Sequence, residues 1–170
     1  MSIREATRDD IEAIREVARH SWAADPPAVV SRETVTDRVD EWYAPDRLAD
    51  DIARPRALVL VADEGGVVGF SHAVLSAATG HVLRLYVDPD HRGRGLGGEL
   101  LTATRDALFD RGAETLQAMV LTENEPGNAF YRAFGFEPVG EAETTIGGEP
   151  HPETTYVLER TVESEQSPAN

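Results

Sequence analysis

The chain has 170 residues, enough for one domain, and its 31 acidic against 16 basic side chains give a formal charge of -15, which argues against nucleic acid as a partner. It contains no cysteine, which removes a disulfide scaffold, a thiolate metal site and a cysteine nucleophile. The charged start MSIREATRDD is unlike a signal peptide and no apolar run reaches membrane-spanning length, so a cytoplasmic protein with no membrane partner is expected.

Ser2 to Ala6 reads as a short strand, and Thr7 with Asp10 resembles a capping box for the helix that follows. Ile11, Ile14, Val17 and Ala18 recur at helical spacing and predict one buried face. Asp25-Pro26-Pro27 stops that helix. A second helical region is predicted after Ser31 to about Tyr43, and Pro45 opens a short helix ending near Ile52. Trp22, Trp42 and Tyr43 either pack in this region or line a substrate pocket. Ala57 to Asp63 and Val67 to Ala77 read as a hairpin turned at Gly65-Gly66, with a break at Thr79-Gly80 before a further strand, Val82 to Val87.

That strand runs into a glycine and arginine cluster. Gly93, Gly95, Gly97 and Gly98 leave the backbone bare where it turns into a helix predicted from about Gly95 to Arg111, so its N-H groups can approach a bulky ligand. The unpaired amides near Leu96 and the positive helix end suit a phosphate, and Arg92 and Arg94 flank the turn. Gly93, Gly95 and Gly98 also satisfy the dinucleotide fingerprint G-x-G-x-x-G, with Glu123 as its acid, although the loop comes halfway along the chain and after a hairpin. A P-loop is excluded because the chain has no lysine.

Gly112 ends the helix, Thr115 to Leu121 reads as a buried strand, and Asn128 to Phe134 as a short helix stopped by Gly135. Phe136 to Thr145 and Thr154 to Thr161 predict a closing antiparallel pair with Gly147 to Pro152 between them. The expected organisation is one domain over 1–162 and a polar, disordered tail over 163–170.

Arg92 to Gly97 matches the R/Q-x-x-G-x-G/A signature of the GCN5-related N-acetyltransferases (GNAT), and Leu85-Tyr86-Val87-Asp88-Pro89 resembles the strand ahead of it in that family. A second match follows at Asn124 to Phe136, NEPGNAFYRAFGF. The resemblance implies an α/β fold with a mostly antiparallel sheet of about seven strands, splayed after the fourth and flanked by about four helices. It implies an acetyl-coenzyme A dependent N-acetyltransferase that needs no metal and acts on a small-molecule or peptide amine. Absence of cysteine leaves direct attack in a ternary complex.

By the same resemblance, Leu85, Tyr86 and Val87 present the strand edge to the coenzyme arm, with the Val87 N-H on the thioester carbonyl. Arg92, Gly93, Arg94, Gly95, Leu96, Gly97 and Gly98 hold the diphosphate. Tyr131 takes the position of the general acid, while Asn124, and more weakly Asn128, bond the arm or else cap the helix. His81 stands near a glutamate that serves as base in many members; His72, Glu123 or solvent are the alternatives. A non-catalytic acyl-coenzyme A sensor on the same fold is the alternative function. The acidity fits either adaptation to salt or attraction of a cationic amine, and a homodimer is the commonest closed assembly open to such a chain.

Overall fold

The computed structural model describes residues 2–24, 43–92, 94–146 and 148–160. Its strands are β1 (Ser2–Glu5), β2 (Ala57–Asp63), β3 (Val67–Ser76), β4 (Thr79–Val87), β5 (Thr115–Leu121), β6 (Glu137–Ile146) and β7 (Glu149–Glu159). Its α-helices are α1 (Ile11–Ala24), α2 (Pro45–Ala53), α3 (Leu96–Asp110) and α4 (Glu125–Phe134). The strands form one sheet in the order β1-β2-β3-β4-β5-β7-β6, antiparallel throughout except for β4 and β5. The helix predicted over 32–42, Gly93, the side chain of Trp22 and the tail over 163–170 lie outside the described residues.

Two apolar layers cover the sheet. Leu58, Leu60, Val82, Leu116 and Ala118 pack beneath Leu100, Leu101 and Leu108 of α3, with Phe130, Tyr131 and Phe134 of α4 against the same cluster. Val59, Val61 and Phe70 pack on the other face with Ile14, Val17 and Ala18 of α1, Tyr43, and Leu48 of α2. β2 is therefore covered on both faces, which explains its unbroken apolar run ALVLVA. Tyr43 belongs to this core, edge-on to Phe70 at 5.9 Å. At the other edge, the capping box predicted at Thr7 forms, Asp10 taking the Thr7 N-H at 2.8 Å while it also pairs with Arg4.

Three elements begin three or more residues before the sequence expectation. β4 begins at Thr79, so Gly80 lies inside a strand and marks close packing rather than a break: a Cβ there would sit 2.8 Å from Leu108 Cδ1 and 3.0 Å from Leu116 Cδ2. α4 begins at Glu125, three residues early, because Asn124 caps it and Pro126 fits its first turn. β7 begins at Glu149 and takes in Pro150 and His151-Pro152, where a loop is predicted. The Pro152 carbonyl accepts the Thr122 N-H at 2.9 Å on the β5 side. The missing N-H of Pro152 thus faces away from β6, so the β6 ladder loses no bond there.

Candidate active site

The sheet opens where the sequence resemblance places its splay. β4 and β5 pair only from Thr79–Val82 to Thr115–Ala118; beyond those residues the two strands part. The Asp88 N-H donates to the Val68 carbonyl at 2.8 Å, which fixes the phase of the β3–β4 ladder. Antiparallel strands address their neighbours with alternate residues, so Tyr86 and Asp88 face β3 while the backbone groups of Leu85 and Val87 face the opening. The Val87 carbonyl is taken by Arg92 Nε at 3.2 Å and Ser21 Oγ at 3.4 Å, leaving the Val87 N-H as the donor directed into the gap.

α3 begins beside this opening. Gly95 is its N-cap with φ 79°, a left-handed conformation that a side chain would strain. Leu96 anchors the turn inward against Ala62, Val68 and Val87. A Cβ on Gly97 would lie 3.3 Å from the Phe130 ring, a tight contact that marks how closely α3 packs on α4 there. A Cβ added at Gly98 would meet nothing within 4 Å, and Arg92, Arg94 and Gly95 are exposed. The first amides of α3 thus meet open space. Arg94 pairs with Glu64 of the β2–β3 turn at 2.7 Å.

The far wall is α4. Asn124 caps it, its Oδ1 accepting the Gly127 N-H at 3.1 Å. Asn128 is buried and spent inside the fold: its Nδ2 donates to the carbonyls of Leu121 at 3.0 Å and Asn124 at 2.6 Å, and its Oδ1 accepts the Tyr156 hydroxyl. It ties β5, α4 and β7 together, which accounts for all its polar atoms without a ligand. Tyr131 is held by rings, stacked on Tyr156 at 6.2 Å and edge-on to Phe136 at 5.3 Å and Phe130 at 5.2 Å. Its hydroxyl has no hydrogen-bond partner among the described residues. Burial, aided by the nearby Tyr86 phenol, pushes its pKa well above the ordinary tyrosine value.

The opposite mouth of the gap lies on the α1 and α2 face. His72 pairs in register with Arg84 and Ala73 with Val82, so Leu83 is an extra residue, a β-bulge. Gly80 and Val82 face α3; His81 therefore faces the other way, and the bulge returns Arg84 to that same side. Arg84 lies over the Tyr43 ring, 4.8 Å from its centroid, and its Nη1 is 3.5 Å from His72 Nδ1. His72 is 5% exposed with Nε2 unpartnered; burial chiefly, and the charges of Arg84 and Arg54, push its pKa down to about 4 against the opposing pull of Asp51. His81 keeps partial access to solvent, opposite Gln117. Glu123 lies elsewhere, past the end of β5, 3.4 Å from His151.

The structure thus brings Leu85, Val87, Gly95 to Gly98 and Tyr131 around one opening, with His81 and Arg84 at its far mouth. Sequence reasoning missed Arg84, Glu64 and Ser21. A lone cation inside the apolar run LRLYV was a signal for the first; the other two act across the fold and carried none. A separate 460 Å³ cavity lies on the other flank of α4, lined by Thr122, Glu125, Arg132, Glu141 and Thr154, and shares none of the glycine turn.

The dinucleotide reading does not fit this topology, because the strand that feeds the glycine turn is antiparallel to β3 and parallel to β5 over only four residue pairs. Comparison with known proteins points one way. The Acetyltransferase (GNAT) family model matches residues 14–136. A spermidine N(1)-acetyltransferase from Thermoplasma acidophilum is 25% identical over 169 residues, 96% of this chain and 99% of that protein. An L-amino acid N-acyltransferase from Escherichia coli is 31% identical over 150 residues, 80% of this chain and 79% of its own. Among solved structures, the PaiA N-acetyltransferase of Thermoplasma acidophilum in complex with coenzyme A superposes with a TM-score of 0.82 at 25% identity, covering 94% of this chain and 98% of that one.

Proposed function

The chain belongs to the acetyltransferase (GNAT) family, and we propose how its own residues carry out acetyl-coenzyme A dependent N-acetyl transfer. One observation carries the proposal: strand-edge groups at Leu85 and Val87 face an opening whose rim is a glycine-headed helix N-terminus. These residues fit the cosubstrate. An amide-bearing arm pairs with an exposed strand edge, and a diphosphate needs bare amides at a helix end.

Acetyl-coenzyme A supplies a thioester whose thiolate is the leaving group. The amides of Gly95 to Gly98 and the α3 dipole hold its diphosphate, flanked by Arg92 and Arg94; the Glu64 carboxylate competes for Arg94 and so tempers that grip. The main chains of Leu85 and Val87 hold the arm, and the Val87 N-H donates to the thioester carbonyl where negative charge develops. A primary amine attacks the acetyl carbon, forming the C–N bond as the C–S bond breaks. His81 accepts the amine proton and Tyr131 delivers its own to the thiolate. The raised pKa of Tyr131 keeps that proton in place until it is needed. His72 is unsuited as base, because it is buried behind Arg84 and stays neutral for lack of solvation rather than from readiness to take a proton.

The Tyr86 ring packs 5.7 Å from Phe70 on the α1 face, with its phenol near that of Tyr131. Asn124 sets the start of α4 and with it the height of Tyr131 in the cleft. Residues 1–162 act as one catalytic domain in the cytoplasm, and the surplus of acid is a surface adapted to salt. Initial velocities over a grid of acetyl-coenzyme A and amine concentrations test the ternary route. Intersecting double-reciprocal lines are expected; parallel lines would overturn direct attack.

A further inference from the structure

Arg84 is a half-buried cation with no carboxylate partner among the described residues, in a chain whose acids outnumber its bases 31 to 16. The other half-buried arginines among the described residues, Arg4, Arg15, Arg19 and Arg105, each meet an acid. Removing a guanidinium from water without a counter-charge is unfavourable, and this chain has carboxylates to spare. The guanidinium is nonetheless held in place, by the Tyr43 ring on one side and His72 Nδ1 on the other. That arrangement fixes the fork while leaving most of its five N-H donors unused.

Position gives the unused donors a purpose. The bulge at Leu83 puts Arg84 on the same face as His81, one pleat repeat along the strand, or roughly 7 Å. The Val87 N-H enters the gap three residues further on. A planar fork suits a carboxylate bidentately. A polyamine chain, by contrast, would bring its second cation against a fixed one. We infer that the acceptor carries a carboxylate beside its primary amine, as an amino acid does, and that Arg84 is the residue that receives it. This inference rests on the acetyl-transfer reading of the same cleft.

The test is a panel of L-amino acids, their matching amino-acid amides and spermidine, assayed for acetyl-coenzyme A dependent thiol release with wild type and Arg84→Gln. The amides are the stringent control, since their less basic amines are more fully neutral and favour attack. At least one amino acid is expected to exceed its amide about tenfold or more in kcat/KM, and Arg84→Gln to erase that preference by raising KM for the acid alone. Equal or better use of amides or spermidine overturns the inference, as does a preference that survives in Arg84→Gln. Thermal stabilisation of the coenzyme A-loaded protein by N-acetyl amino acids, but not by N-acetyl amino-acid amides, is the second readout. Absence of that difference, with no amino acid turned over, also overturns it. Failure of acetyl-coenzyme A itself to stabilise the protein would instead strike the acetyl-transfer reading.

Discussion

His81 and Arg84 stand on one face of β4 although they are three positions apart, because Leu83 has no partner on β3 and the strand's alternation slips by one there. Without the bulge a spacing of three places two side chains on opposite faces. The slip puts a solvent-accessible imidazole and a fixed guanidinium at the same mouth of the β4–β5 opening. Tyr131 reaches that opening from α4, on the other side of the sheet, so the proposed base and acid flank the acyl position rather than share a wall.

Tyr131→Phe keeps the ring contacts with Phe130, Phe136 and Tyr156 and removes only the hydroxyl. Turnover is expected to fall by about 10²- to 10⁴-fold while acetyl-coenzyme A binding, measured by calorimetry, is spared. Full activity in this variant removes Tyr131 from the chemistry.

Gly95→Ala and Gly98→Ala separate backbone strain from ligand approach. The first places a side chain at φ 79° and is expected to cost on the order of 1 kcal/mol of stability. The second enters open space in the first turn of α3, where alanine favours the helix by up to about 1 kcal/mol. The added methyl is expected to crowd a ligand at the amides proposed to hold the diphosphate, so Gly98→Ala should be at least as stable as wild type and bind acetyl-coenzyme A more weakly. Unchanged affinity would place the diphosphate elsewhere.

Asn128→Ala is expected to destabilise more than Asn124→Ala. Losing the Asn124 cap costs ~1 kcal/mol. Loss of Asn128 strands the fully buried Tyr156 hydroxyl and removes side-chain bonds to the Leu121 and Asn124 carbonyls, which keep their backbone N-H donors, at roughly 2–3 kcal/mol. Urea denaturation of both variants gives the comparison, and equal midpoints would show that the amide network adds nothing beyond the cap.

His72 makes stability fall on the acid side earlier than carboxylates do. Its folded pKa is depressed, from 6.5 to about 4, so between those values the unfolded chain binds the extra proton. The stability is full above pH 6.5 and declines as the pH drops towards 4, by about 2 kcal/mol between pH 7.5 and pH 5. His72→Gln should flatten this window while leaving the loss from Asp10 and Asp63, whose carboxyls are held low chiefly by Arg4, to more acidic pH. An unaltered acid slope in the variant excludes His72 as its source.

The sequence by itself determined what depends on neighbours along the chain. Bare glycines ahead of a helix announce a turn with open amides, here proposed to hold a diphosphate, and the apolar period of α1 and the run of β2 announce how many faces each must bury. The same local logic misread Gly80 as a break and the prolines of β7 as a loop, since what excuses each is a partner distant in sequence: Leu108 and Leu116 for the glycine, the β6 register for the prolines. Tertiary structure alone decided the rest. The parting of β4 from β5, the bulge that aligns His81 with Arg84, the burial that quiets His72 and the network that occupies Asn128 are properties of pairs of segments. Hydrogen-bond registers and desolvation are set between strands, and no window along one strand contains them.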